Sequence, residues 1–380
     1  MHRRHSLAAP LLFLAIAGLP TASLAGDCPL PGQWQSDGEV VDAADLMAEL
    51  ADQQVVLLGE QHERLAHHRW QLHTLAALHA HRPSLVIGLE MLPREAQPAL
   101  DAWVAGELEE KDFLEASDWQ EAWGYDPDFY LPILHFARMH RVPLRALNVT
   151  PELRGRLTDE GWEAVPETER HAITPPTPAS DAYRQALADV YARHPSAGDH
   201  EAGLTRFVEA QLVWDRAMAA GLAEAADTNT LVVGLMGQGH VTFGHGVPHQ
   251  LDDLGIADNR SLLPWSLDDG CTPPDEVADA LFILGDERGF GPPEPQRLGV
   301  LIAPHEAGLE VMGVMPGSLA DELGLEEGDV IRAAAGRSLS SPVDLTTLVR
   351  RQTPGTLLPL TVQRHGASEE RLVRFPVATP

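Results

Sequence analysis

Val55-Val56-Leu57-Leu58-Gly59-Glu60-Gln61-His62 is the stretch on which the fold turns. From Val55 to Gly59 there is no polar side chain and no alternation of apolar with polar residues, which is the pattern of a strand buried on both faces. Three further runs, nearly continuous in apolar residues, follow at Leu85 to Leu89, Pro143 to Leu147 and Thr230 to Met236. Helical patterns separate them, so the strands are expected to form a parallel sheet flanked by helices, the α/β class. A fifth run, Ala278 to Leu284, follows Cys271 and is expected to add a strand to the same domain.

Between the third and fourth strands, residues 150–227 make an insertion too long for a simple crossover. Phe207, Gln211, Trp214, Met218 and Leu222 recur on one helical face. The segment Thr174 to Pro178 is a proline-rich break before that helix. The insertion is therefore expected to be mostly helical, as a lid over the carboxyl edge of the sheet or as a packing subdomain.

Parallel sheets gather ligands at the carboxyl ends of their strands, where the connecting loops leave a crevice. Here the first strand runs into Gly59-Glu60-Gln61-His62, the second into Glu90, the third into Asn148 and the fourth into Gly237-Gln238-Gly239-His240. Glu60, His62, Glu90 and His240 form the candidate cluster, since imidazoles and carboxylates serve both as general acids and bases and as ligands for first-row metals. On the helix after the first strand, Leu65, His68, Leu72 and Leu75 share one stripe, which aims His68 inward. The remaining histidines of that helix read as surface or core.

At this point a resemblance enters. Gly59 to His62 with His68 and Gln71, Gly88 to Met91 with Gln97, Trp123-Gly124 with Tyr130, Ala146 to Asn148, Gln211 with Asp215 and Met218-Ala219, and Gly237 to His240 with Gly246-Val247-Pro248 together resemble the ChaN-like haem-binding uptake family of the Tiki superfamily. The resemblance spans about residues 45–286. It implies an α/β domain with a helical lid, and haem binding tied to iron acquisition in some members. In other branches of the superfamily the paired Gly-x-x-His motifs and the glutamate act in hydrolysis, including metal-dependent proteolysis. Carried over residue by residue, it points to Glu60, His62, Glu90 and His240, with Asn148 and Asp215 in support.

Haem requires an axial ligand and an apolar slot for its ring. Trp119, Trp123, Tyr125, Phe129 and Tyr130 form an aromatic segment before the third strand, and the resemblance to haem-carrying members, which ligate through a tyrosine, implies Tyr130 or Tyr125 as the phenolate ligand, with His68 nearby. The same segment also reads as plain packing of the lid onto the domain.

The last 80 or so residues carry a second set of motifs: Leu298-Gly299-Val300, Val314 to Ala320, Gly324 to Ile331, and Asp344-Leu345 in a helix before Pro354-Gly355. They resemble a PDZ domain over residues 297–377, a small mainly-β module that binds by adding a peptide strand to a sheet edge. Leu298, Gly299, Val300 and Leu345 are the expected peptide-binding residues, and a free protein or peptide C-terminus the expected partner. The Pro- and Gly-rich stretch 287–296 reads as a linker to the α/β domain of residues 28–286.

Arg3 and Arg4, the apolar run Leu7 to Leu19, Pro20 and the small residues through Ala25 read as a signal peptide over residues 1–25. The mature chain is thus expected in the periplasm or secreted, with no membrane span after cleavage. Asp27 before Cys28 argues against a lipoprotein. Two cysteines in an exported chain invite pairing, so Cys28 and Cys271 are expected to form a disulfide. The formal charge of −29 excludes nucleic acid as a partner.

Three readings follow: a haem-binding protein docked through its PDZ domain, a metal-dependent hydrolase or peptidase in which His62, His240 and Glu90 hold a divalent cation, and a peptide-binding adaptor with an inert α/β domain. No Gly-x-Ser-x-Gly motif is present, which disfavours a serine hydrolase. A homodimer is left open.

Overall fold

A computed structural model of the chain describes residues 28–193, 201–227, 229–285 and 296–377. The signal peptide read at residues 1–25 and nearly all of the linker read at 287–296 lie outside the described residues. Contacts divide the chain into two compact units, Met1–Glu287 and Arg288–Pro380.

The first unit is built on one mixed sheet of eight strands: β1 (Trp34–Ser36), β2 (Glu39–Val41), β3 (Val55–Glu60), β4 (Leu85–Pro93), β5 (Leu144–Asn148), β6 (Leu231–Gly237), β7 (Asn259–Ser266) and β8 (Ala280–Leu284). Their order across the sheet is β2-β1-β8-β7-β3-β6-β4-β5. The six strands from β3 onward run parallel, whereas β1 pairs antiparallel with both β2 and β8. The expected parallel sheet is thus present with an antiparallel hairpin added at one edge.

Continuous apolar runs suit the central strands because both faces are covered. Successive side chains alternate between faces: Val56, Leu58, Val233 and Leu235 join one core, and Val55, Leu57, Val232 and Met236 the other. The first core is closed by the helices Leu65–His81 and Leu131–His140, and the second by the helix Glu201–Ala225 through Met218, Ala219 and Leu222. The insertion is mostly helical, with helices at Pro151–Asp159, Asp181–Ala192 and Glu201–Ala225.

β7 escapes sequence reading because it opens on Asn259-Arg260-Ser261 and contains a proline. It is tolerated because β7 pairs with β3 only as far as Leu262, so Pro264 lies beyond the ladder on that side. Cys28 and Cys271 form a disulfide with their Cα atoms 4.8 Å apart. The closed loop spans 243 residues, and constraining it in the unfolded chain is worth roughly 5 kcal/mol in the chain-entropy model.

The second unit is an antiparallel sheet of β9 (Val300–His305), β10 (Gly308–Val314), β11 (Val330–Ala334), β12 (Arg337–Ser338), β13 (Leu357–Arg364) and β14 (Ala367–Arg374), with the helix Pro342–Arg350. It has its own core, formed by Leu309, Val311, Ile331, Leu358, Leu360, Val362 and Phe375 among others. β9 lies at one edge of this sheet. No helix among the described residues is long and apolar enough to cross a membrane.

Candidate functional site

The strands β3, β6, β4 and β5 are neighbours in the sheet, so their carboxyl ends lie side by side. Glu60 is the last residue of β3 and is in register with Gly237 at the end of β6. β4 leaves its pairing with β6 after Leu89, and a register shift follows, so Glu90 is the first residue past that ladder. Asn148 at the end of β5 fixes this break by donating its amide to the Glu90 carbonyl at 3.0 Å.

Two acid–imidazole groups result. In the first, Glu60 Oε1 accepts from the Tyr130 hydroxyl at 2.7 Å and meets His62 Nδ1 at 2.8 Å. Glu60 Oε2 faces His68 Nδ1 at 2.8 Å. The two atoms are close but poorly aligned for a hydrogen bond, and neither has another hydrogen-bond partner. The opposite nitrogen of His68 donates to the His62 carbonyl at 3.0 Å. Burial alone would raise the Glu60 carboxyl, but His62, His68 and Tyr130 outweigh it and bring the carboxyl down to about 2.

In the second group, His240 Nδ1 donates to Asp215 Oδ1 at 2.6 Å, and its Nε2 lies 3.3 Å from Glu90 Oε1. Glu90 Oε2 accepts the Gly237 amide at 2.6 Å. Burial opposes charge on His240, yet the Glu90 and Asp215 carboxylates dominate and push the imidazolium up to about 10. His240 is therefore a cation at neutral pH, held between two carboxylates.

Gly237 joins the two groups. A Cβ at this position would lie 2.9 Å from His62 Cε1 and 3.7 Å from Glu90 Oε2. Only a residue without a side chain lets the His62 ring reach the end of β6, which is the physical content of the first glycine in Gly237-Gln238-Gly239-His240. His62 is raised in pKa by Glu60 and Glu90 against the effect of burial.

All four residues of the expected cluster thus come together. Glu60 and Glu90 are almost wholly enclosed, and His62 is the open member, with 26% of its side chain exposed. The His62 ring packs against Trp123 and Tyr125, with ring centres 4.7 and 5.0 Å away. Trp123 and Tyr125 are half-buried and lie 5.2 Å from each other, so three rings form the rim.

The two tyrosines proposed as haem ligands are placed differently. Tyr130 is 2% exposed, and its hydroxyl is engaged by Glu60. Burial and the Glu60 charge raise its pKa far above the ordinary phenol value, which opposes the phenolate form a ligand needs. His68 is likewise buried, with its ring stacked on Phe129 at 5.3 Å. Of the three, Tyr125 is the one at the rim.

Among the described residues no group of three or more His, Cys, Asp or Glu side chains is arranged to hold a metal ion. His240 in particular has both ring nitrogens occupied by carboxylates, Nδ1 by Asp215 and Nε2 by Glu90. Tyr183 is a residue that sequence reading missed. It lies on the insertion helix Asp181–Ala192 and donates its buried hydroxyl to Asp215 Oδ2 at 2.8 Å. Its one sequence signal was a position four residues before Leu187 on the buried stripe of that helix.

In the second unit, Leu298 and Leu345 are 5% and 2% exposed and belong to the core. They therefore support the edge of β9 from inside, and the half-buried Val300, Ile302 and Leu348 supply the apolar surface that stays accessible beside it. Gly299 has φ of +81°, and a Cβ there would collide with Ser318. The Gly299 carbonyl accepts the Met315 amide at 2.9 Å, which pins the turn before β9.

The family model described as haem-binding uptake, Tiki superfamily, ChaN matches residues 46–251, more than half of the chain. A PDZ domain model matches residues 310–364. A solved structure of ChaN from Campylobacter jejuni, described by its cofacial haem binding, is similar with a TM-score of 0.54 at 18% identity, over 66% of this chain and 95% of that one. The HtrA3 PDZ domain bound to a phage-derived ligand aligns over 21% of this chain and 83% of its own, at 22% identity and a TM-score of 0.19. No curated protein matches the chain. With its motifs, its fold and the extent of that match in agreement, the chain belongs to the haem-binding uptake, Tiki superfamily, ChaN family.

Proposed function

We propose that the α/β domain binds haem at the rim of the strand-end cluster, as an exported protein of haem or iron uptake, and that the PDZ domain docks it to the C-terminus of a peptide or protein partner. The observation that carries the reading is the ring group of His62, Trp123 and Tyr125. It places two iron-capable donors beside aromatic faces at the open side of an otherwise enclosed site, and that donor set fits a porphyrin. Tyr125 is the axial ligand of this reading, with His62 as the neighbouring donor. Glu60 fixes the His62 ring by holding Nδ1, the outer partner that orients an iron-facing imidazole. Trp123 shields the ring face from water. Bound haem iron would supply a redox-active Lewis acid.

The test is a haemin titration of the full chain followed by absorbance in the Soret region. Saturable binding is expected, with Tyr125→Phe shifting the spectrum and weakening binding and Tyr130→Phe leaving the spectrum unchanged. If Tyr125→Phe binds haemin with the spectrum and affinity of the parent, the assigned ligand is wrong. Absence of saturable binding removes the reading altogether.

For the PDZ domain, the support is β9, a sheet edge flanked by Val300, Ile302 and Leu348, to which an extended peptide can add. Peptides with a free apolar C-terminus should bind with micromolar dissociation constants, about −8 kcal/mol. Equal binding of the amidated peptides would remove the carboxylate from the recognition.

A further inference from the structure

A second polar site lies in the α/β domain around Arg94, Gln97, Arg145, His171 and the Gly221–Glu224 turn of the long helix, where a cavity of about 290 Å³ opens. In a chain of formal charge −29, two arginines lining one cavity need an explanation. Paired arginines repel: burial lowers the Arg94 pKa most, the Glu224 carboxylate opposes that, and the Arg145 charge lowers it further. Among the described residues Glu224 is the one carboxylate lining the cavity, and its side chain is 63% exposed at 3.4 Å from Arg94 Nη1.

Arg94 is held from behind. Its Nη2 donates to the Ala217 carbonyl at 3.1 Å and its Nη1 to the His171 carbonyl at 3.4 Å, while Nε is buried without a hydrogen-bond partner. Among the described residues Arg145 makes no ion pair. Gln97 carries no charge, and its amide is used on both sides to cap the β5 edge, donating to the Leu144 carbonyl and accepting the Ala146 amide, each at 2.9 Å. The opposite wall, His171 and Ala172, has φ of +51° and +59°, two successive non-glycine residues in the left-handed region. Such backbone costs about 1 kcal/mol or more per residue and gathers at ligand sites. His171 has Glu95 as its ring partner at 3.2 Å, on an exposed carboxylate.

We propose that this cavity is a binding site for a small oxyanion, a phosphate group or a compact carboxylate, clamped between Arg94 and Arg145. A doubly charged oxyanion offsets the repulsion between the two arginines and gives Arg145, which makes no ion pair among the described residues, a charged acceptor.

The experiment is a thermal-shift and calorimetric titration of the full chain with inorganic phosphate and, in a separate arm, with succinate, each against sodium chloride at matched ionic strength. At least one should raise the melting temperature beyond the chloride control, and the two arms separate phosphate from carboxylate. Arg145→Met should melt no lower than the parent without anion, because the repulsion is gone, and should bind the anion about tenfold more weakly or worse. Glu224→Gln removes the acid that competes for Arg94, so it should bind the anion more tightly. A parent protein indifferent to both anions overturns the proposal. So does an Arg145→Met variant with the parent's response, or a Glu224→Gln variant that binds more weakly.

Discussion

The Tyr183 hydroxyl and the Asp215 carboxylate meet at 2.8 Å inside the protein, and the second oxygen of the same carboxylate holds His240 at 2.6 Å. A helix of the insertion is thereby tied to the strand-end cluster through one shared acid. Tyr183→Phe keeps the ring and removes the donor, which should cost about 1.5–3 kcal/mol because the acceptor is charged. Hydrogen exchange should then speed up in the helix Asp181–Ala192 ahead of the central strands.

His240 makes the fold sensitive to alkali. Its pKa is raised in the folded chain to about 10 from 6.5, so its contribution is complete below about 6.5 and is lost as pH rises through about 10. The melting temperature should fall across that window, and His240→Gln should flatten the slope. A parent and variant with parallel profiles would show that the imidazolium is not what the two carboxylates stabilise.

Glu60 acts at the other end of the scale. Its carboxyl is lowered to about 2 from 4.5, so the stability it lends is complete above about 4.5 and is lost as pH falls through about 2. Tyr130→Phe withdraws one hydrogen bond from this carboxylate and should move acid unfolding to higher pH, at a cost of about 1.5–3 kcal/mol near neutrality. Circular dichroism across an acid titration measures both.

Gly299→Ala should damage the PDZ domain twice over, through its left-handed φ of +81° and through collision with Ser318. An expected loss of about 1–2 kcal/mol from the backbone alone should appear as a lower melting temperature of a separate 290–380 fragment. Binding of free C-terminal peptides should weaken with it, because the turn leading into β9 shifts.

Much of this site was legible because its glutamates and histidines follow apolar strands in the chain, and a parallel sheet brings such strand ends together whatever the loops do. Glu60, His62, Glu90 and His240 were found that way. Tyr183 was not, because nothing local distinguishes a tyrosine that packs from one that reaches an acid 32 residues away. The split between Tyr130 and Tyr125 was equally hidden, since burial decides it and both sit in one aromatic segment. The β1–β2 hairpin did leave a signal in Asp37-Gly38, both at positive φ, the dipeptide that a tight hairpin turn favours. β7 left almost none, because its start is polar and its middle holds a proline.

The pairing of β1 with β8 sets Trp34 against Phe282, residues from opposite ends of the domain. During synthesis the hairpin emerges first and has no sheet to join until nearly the whole domain has followed. Its junction with β8 is therefore the last part of the sheet to be completed, and the early chain must hold one edge of β1 open in waiting. Contacts of such long sequence separation slow folding and expose apolar edges to other chains. A nascent chain stopped before residue 280 should accordingly be sticky and protease-sensitive at its beginning, even where its centre is already folded.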